Sequence, residues 1–235
     1  MSLAKLPFIF AAAVGFHISV TAPEVAKDRV VTPNAIERVL IPFNALIGQI
    51  LKGTIWLATA AETAAILTRY IPPHYMSPGI ADALGKLGNP DASKITAVSL
   101  FGSLMFVMSG YIRWQCYREL GRFFTYELSI RDGHKLVTSG PYSVVRHPSY
   151  TGVALSLVGA SAMYGARGSW LRESGVLNLP FVCVVANTWA AMMVMVVVCL
   201  TIRIPQEDKL LAQSIGKEWE EWAQRVKYRL VPGVY

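Results

Sequence analysis

The sequence predicts an all-α integral membrane protein with about five transmembrane helices and a C-terminal amphipathic helix. Three observations predict it. Only 16% of the 235 residues are charged and 53% are hydrophobic, with a mean hydropathy of +0.40, whereas a soluble domain carries about 25% charged residues. Apolar runs recur at or above the roughly 20 residues that a helix needs to cross the hydrocarbon core. Each run must be helical, because backbone polar groups in lipid have to be satisfied within the segment.

The first apolar run covers 3–22. Lys5, an apolar middle and small residues near Thr21 and Ala22 also fit a cleaved leader, but the repeated spans that follow favour a retained first span. The second lies within 39–68, with Pro42 near its start. It is longer than a crossing requires, so it tilts or begins at the interface. The third covers 95–117, the fourth 151–168 and the fifth 177–202. In the tail, Leu210, Leu211, Ile215, Trp219, Trp222 and Val226 recur at helical spacing, and Lys217, Glu218, Glu220, Glu221 and Arg225 take the other face. This reads as an amphipathic helix over 206–227 with tryptophans suited to a membrane interface. Pro205 brackets its start and Pro232 lies beyond its end.

The net charge of +7 does not imply nucleic acid. The basic residues sit in short segments between spans, where they set topology. Segments 23–39, 113–150 and 203–235 hold fifteen Lys and Arg residues, against six in 1–22, 69–94 and 167–176. The first set is therefore expected in the cytosol, together with the C-terminus. Spans four and five then form a hairpin whose two ends bring the 118–150 loop and the tail to one mouth. Cys116, Cys183 and Cys199 lack metal-ligand spacing and read as packing residues, so no metal is expected.

Two clusters could carry chemistry. The string GPYSVVRHPSYTG (140–152) places Tyr142, Arg146, His147 and Tyr150 beside two prolines at the start of a span. Gly140 and Pro141 impose a turn, Pro148 biases His147 away from helix, and Ser149 or His147 can cap the following helix. N–H groups in a first turn favour an anion. The second cluster is Arg203 and Glu207, with Asp208. Arg203 and Glu207 share a face if the segment is helical, and Pro205 is expected to break that helix between them. Lys52, with Gln49 and Glu62, is a weaker third candidate. Lys52 can snorkel, and Glu62 lies about 15 Å further along the same helix, so the two are not expected to pair.

The strings HKLVTSGPYSVVRHPSYTG (134–152) and RIPQEDKLL…GKEWEEWAQRVKYRLVP (203–232) resemble the isoprenylcysteine carboxyl methyltransferase family of membrane enzymes. The resemblance covers about 120–235. It implies a methyltransferase core over 118–235 behind an N-terminal transmembrane region over 1–117. It further implies an endoplasmic reticulum membrane enzyme that methylates the C-terminal prenylcysteine carboxylate of CaaX-processed proteins. S-adenosylmethionine would bind at a cytosolic mouth. Its contacts fall on His134, Lys135, Leu136, Val137, Tyr142, His147, Pro148, Ser149, Tyr150 and Glu207. Glu127 stands where the family commonly has Gln. Arg203 matches a position assigned to the substrate carboxylate, and Arg203 and Glu207 form the catalytic pair.

The chemistry of these residues agrees with that assignment. Tyrosine faces suit an adenine and a sulfonium, and Glu207 suits an ammonium. The acceptor is already an anion at neutral pH, so alignment rather than a general base would drive transfer. Related Arg-His-Pro elements occur in phospholipid N-methyltransferases and in nicotinamide-dependent sterol reductases. The first would need a base and would be repelled by Arg203. The second is usually longer, and this chain has no added basic cluster for a 2′-phosphate. A non-catalytic scaffold is disfavoured because Tyr142, His147, Arg203 and Glu207 occur together.

Overall fold

The computed structural model describes residues 3–21, 35–72, 77, 79, 94–124 and 135–235. Every regular element among them is helical: α1 (Leu6–Val20), α2 (Ala35–Leu67), α3 (Ala97–Leu120), α4 (Pro148–Gly165), the single turn α5 (Trp170–Glu173), α6 (Pro180–Ile215) and α7 (Lys217–Arg225), joined by short 3-10 turns. Among the described residues, four segments are long and apolar enough to cross a membrane: Leu3–Val20, Leu46–Leu67, Ala97–Phe123 and Pro180–Ile215. The expected fourth span is present as α4 but is not one of these four. Pro148, Ser149, Tyr150 and Thr151 open it, and glycines and serines recur along it, which dilutes its apolar character.

Those small residues explain how α4 is held. α3 lies between α1 and α4, and the three backbones approach closely through glycine. A Cβ on Gly110 would stand 2.5 Å from the Gly15 carbonyl oxygen, and one on Gly102 would stand 2.7 Å from the Met163 nitrogen. Membrane helices associate through such small-residue seams because lipid gives them no hydrophobic drive to pack. Around the seams Ile9, Ala12, Ala13, Phe16, Phe106, Ala160 and Met163 form the core. Phe16 and Phe106 meet edge to face with centroids 5.5 Å apart, a favoured aromatic geometry. Gly110→Ala should therefore destabilise the bundle by about 1–3 kcal/mol through overpacking. The check is the thermal midpoint in detergent, where an unchanged value would contradict the close approach.

Capping residues set the limits of α3. Thr96 and Ser99 form a reciprocal capping box at its start, and Gly121 stops it with φ +49. α6 runs outward with Phe181, Val184, Val198 and Ile202 exposed, as lipid-facing residues should be. It is tied back to α2 where Trp189 Nε1 donates to the Leu51 carbonyl at 3.3 Å.

The structure corrects the reading of Pro205 and of the tail. Pro205 lies inside α6, and the helix continues through it to Ile215. Proline removes one N–H donor, and its clash is with the preceding turn; on an exposed face of a membrane helix this is tolerated. The break comes instead at Gly216, with φ +67. The expected single helix over 206–227 is thus the end of α6 followed by α7. Trp222 is not an interfacial anchor: only 3% of it is exposed, because α7 packs on the protein.

Candidate functional site

The 140–152 string folds as foreseen from its turn residues. Gly140, with φ +57, opens a 3-10 turn over Gly140–Ser143, and α4 starts at Pro148. The turn lifts Tyr142 into a cluster with Cys116 of α3 and with Trp222 and Val226, flanked by Leu136, Val137 and Trp219. Trp222 Nε1 donates to the Tyr142 carbonyl at 3.2 Å, which docks α7 on the turn. Burial pushes the Tyr142 phenol well above its ordinary pKa, so it remains a neutral donor.

The two sequence clusters meet as pairs between the first turn of α4 and the end of α6. The Tyr150 hydroxyl donates to Glu207 Oε2. His147 Nε2 lies 2.9 Å from Asp208 Oδ1. The His147 and Tyr150 rings stack with centroids 5.5 Å apart and planes 15° apart. Because Pro205 leaves α6 unbroken, Arg203 and Glu207 share a face, with Nε 3.8 Å from Oε2. The charges of Arg113 and Glu207 both act on Tyr142, and those of Arg203, Glu207 and Arg113 act on Tyr150. One mouth therefore holds two phenols, a carboxylate and the arginines.

Some expected roles change. Neither Ser149 nor His147 caps α4: His147 occupies the cap position without a side-chain bond, and Ser149 Oγ accepts from Arg113 Nη1. Pro148 is buried in the first turn. Lys135 is exposed, whereas Leu136 and Val137 are half-buried. Glu127 and His134 lie outside the described residues.

The sequence places Arg113 in the basic 113–150 segment. It lies within α3 and is 5% exposed. Nε donates to the Ser19 carbonyl at 2.8 Å, and Tyr117 Oη donates to the same oxygen at 2.9 Å. The guanidinium sits 4.7 Å from the Tyr117 ring centroid and 5.6 Å from that of Phe124. One turn deeper, Ser109 donates to Ser19 at 2.8 Å and lies 2.7 Å from Ser156. The end of α1 is thus part of the platform beneath the mouth. Neither sequence cluster contains Arg113 or Ser19. The available signal was an arginine four residues inside an apolar run, since ionisable residues there are functional by default.

The third candidate separates as expected. Glu62 pairs with Lys5 of the N-terminal turn at 2.7 Å, with both side chains 4% exposed. Lys52 Nζ reaches Thr21 Oγ1 at 3.4 Å.

The donors and carboxylate suit a polar ligand that carries both hydrogen-bond acceptors and a cationic group. Trp219 Nε1 and Arg146 Nε are buried without a hydrogen-bond partner among the described residues. Trp219 borders the apolar cluster of Leu136, Val137 and Tyr142. Unpartnered buried donors are costly, and a polar ligand edge would relieve them. Glu207 offers a carboxylate for a cationic group.

Residues 102–169 match the isoprenylcysteine carboxyl methyltransferase (ICMT) family. The chain is 33% identical over 131 residues to protein-S-isoprenylcysteine O-methyltransferase B of Arabidopsis thaliana, covering 55% of this chain and 57% of that protein. It is 32% identical over 139 residues to a probable protein-S-isoprenylcysteine O-methyltransferase of Oryza sativa subsp. indica, covering 58% of this chain and 63% of that one. Similarity extends to the Delta(14)-sterol reductase TM7SF2 of Mus musculus at 31% over 104 residues, but over only 20% of that protein. The matches thus span about three-fifths of the length of the methyltransferase relatives. The family match runs from α3 through the Tyr142 turn to the end of α4, and over this platform the chain is similar to the isoprenylcysteine carboxyl methyltransferase family.

Proposed function

We propose that this protein transfers a methyl group from S-adenosylmethionine to the C-terminal prenylcysteine carboxylate of CaaX-processed proteins. The observation that carries the reading is the Arg203–Glu207–Tyr150 arrangement at the foot of α6. It offers a cation for an anionic acceptor beside an anion for a cationic cofactor group. S-adenosylmethionine, when bound, supplies an electrophilic methyl group on sulfonium.

The chain's own residues bind and align. Glu207, oriented by the Tyr150 hydroxyl, takes the cofactor ammonium. Leu136, Val137, Tyr142 and Trp219 hold its flat apolar part, with Lys135 and Pro148 completing the surround; His147 and Ser149 brace the start of α4 through Asp208 and Arg113, and the family resemblance adds Glu127 and His134. Arg203 holds the acceptor carboxylate, ideally through two N–H bonds. No proton need be removed, so catalysis rests on in-line alignment. Attack brings a carboxylate and a sulfonium together, and a water-poor mouth favours that neutralisation. The prenyl chain would reach the site sideways from lipid, past the exposed apolar face of α6. We extend the proposal to an endoplasmic reticulum membrane with the C-terminus cytosolic, on the fifteen-to-six basic asymmetry.

The test is calorimetric titration of the detergent-solubilised chain with S-adenosylmethionine and with NADPH, beside methyl transfer to a farnesylcysteine analogue. S-adenosylmethionine should bind and NADPH should not; the reverse result would replace this reading with a reductase. In the same titration Glu207→Gln should weaken cofactor binding by about 1–3 kcal/mol, the range for a hydrogen bond to a charged group. Unchanged affinity in a folded variant would remove Glu207 from the site.

A further inference from the structure

Asp208 follows Glu207 on α6 but faces a different set of groups. It is 6% exposed, and three basic side chains converge on it. His147 Nε2 is 2.9 Å from Oδ1, while Arg146 Nη1 and Arg229 Nε are 3.1 Å and 3.2 Å from Oδ2. The backbone reinforces the same junction. Arg146 N donates to the Tyr228 carbonyl at 2.9 Å, His147 N donates to the Arg229 carbonyl at 2.8 Å, and Thr151 Oγ1 donates to the Leu230 carbonyl at 2.7 Å. The C-terminal segment is therefore strapped across the start of α4, with Asp208 at the knot.

Two consecutive residues of α6 thus grip two residues of the α4 first turn: Glu207 takes Tyr150, and Asp208 takes His147. The His147 and Tyr150 rings are themselves stacked, so rotation of one ring displaces the other. A buried carboxylate that accepts three charge-assisted bonds is fixed in place, and a partner so held can orient a neighbouring ligand-binding group.

We propose that Asp208 is a positioning residue of the methyl-transfer site: it clamps His147 and, through the His147–Tyr150 stack, sets the Tyr150–Glu207 pair that faces the cofactor. The proposal rests on the methyltransferase reading above. It also limits His147, whose Nε2 is committed to Asp208 and is not free to contact the cofactor carboxylate.

The experiment uses the full chain in nanodiscs, with S-adenosylmethionine and a farnesylcysteine analogue as probes. Asp208→Asn keeps the shape and removes the charge. It should raise the Kd and KM for S-adenosylmethionine about tenfold, while kcat at saturating cofactor changes by less than about threefold. Tyr150→Phe removes the hydroxyl and should raise the same Kd. The double variant should be no weaker than the weaker single, because both act on one pair. A purely architectural Asp208 would instead lower the thermal midpoint and the amount of active protein without shifting Kd, and its effect would multiply with that of Tyr150→Phe. Either of those results overturns the proposal. If Asp208→Asn does not fold, Asp208→Glu carries the test. Folded protein with a Kd still raised at least about threefold supports positioning, and a wild-type Kd overturns it. A wild-type chain that binds no S-adenosylmethionine overturns the methyltransferase reading itself and takes this proposal with it.

Discussion

Arg113→Ala is expected to destabilise the bundle by about 2–5 kcal/mol and to weaken cofactor binding as well. Three losses add up. The Ser19 carbonyl and Ser149 Oγ each lose a charged donor, and hydrogen bonds to charged groups contribute about 1.5–3 kcal/mol each. The cation–π contacts with Tyr117 and Phe124 also go. The Arg113 stem packs against Gly152, where an added Cβ would meet Arg113 Cγ at 2.8 Å, so truncation opens a gap between α3 and α4. One gain opposes these losses: a charge within a span costs about 2.5–3.5 kcal/mol on insertion scales. The losses win because the charge already has its donors satisfied and its face covered by rings. Arg113→Lys should recover only part of the stability, since an ammonium cannot reach the Ser19 carbonyl and Ser149 in two directions at once. Thermal midpoints in one detergent are the measurement. A wild-type midpoint for the alanine variant would mean that the α1–α3–α4 junction does not depend on Arg113.

Arg113 marks the boundary between what this chain's sequence makes legible and what it hides. Apolar runs of span length announce α1, α3 and α6, because hydropathy is a local property that neighbours in sequence carry together. Turn residues announce Gly140 to Tyr142 and the start of α4 for the same reason. Partners far apart in sequence leave no such trace. Ser19 is 94 residues from Arg113, His147 is 61 from Asp208, and Lys5 is 57 from Glu62. Each looks alone like a topology signal or a surface charge. The 151–168 segment reads as a span and is present as α4, but its glycines and serines dilute its hydropathy while improving helix packing. Pro205 reads locally as a helix break, yet α6 runs through it with the proline ring on an exposed face. Among the expected site residues the structure joins Tyr142, Tyr150, Arg203 and Glu207 in one mouth. It gives His147 and Ser149 to Asp208 and Arg113.

Arg203→Lys is expected to lower methyl transfer about ten- to a hundredfold while leaving S-adenosylmethionine affinity within about twofold. Loss of one charged hydrogen bond, at about 1.5–3 kcal/mol, corresponds to roughly that range at 1.36 kcal/mol per tenfold. The geometry supports the asymmetry. Arg203 lies one helical turn from Glu207 with Nε 3.8 Å from Oε2, and its side chain is 26% exposed. A planar fork can hold the acceptor through two parallel N–H bonds and still sit against Glu207, whereas an ammonium is a point charge. If Arg203 served only to mark the end of a span, lysine would do equally well, because both snorkel. The experiment is methyl transfer to a farnesylcysteine analogue beside cofactor titration on one preparation. Wild-type turnover by the lysine variant would remove the carboxylate-holding role. Parallel loss of turnover and cofactor affinity would show instead that Arg203 acts through Glu207, as part of the cofactor grip, and the acceptor would need another cation at the mouth. Of the arginines nearby, Arg113 is held by Ser19 and Ser149 and Arg146 by Asp208. Arg203 sits one turn from Glu207 on the same helix, so under the proposed reading it stands beside the cofactor grip, where the acceptor must come.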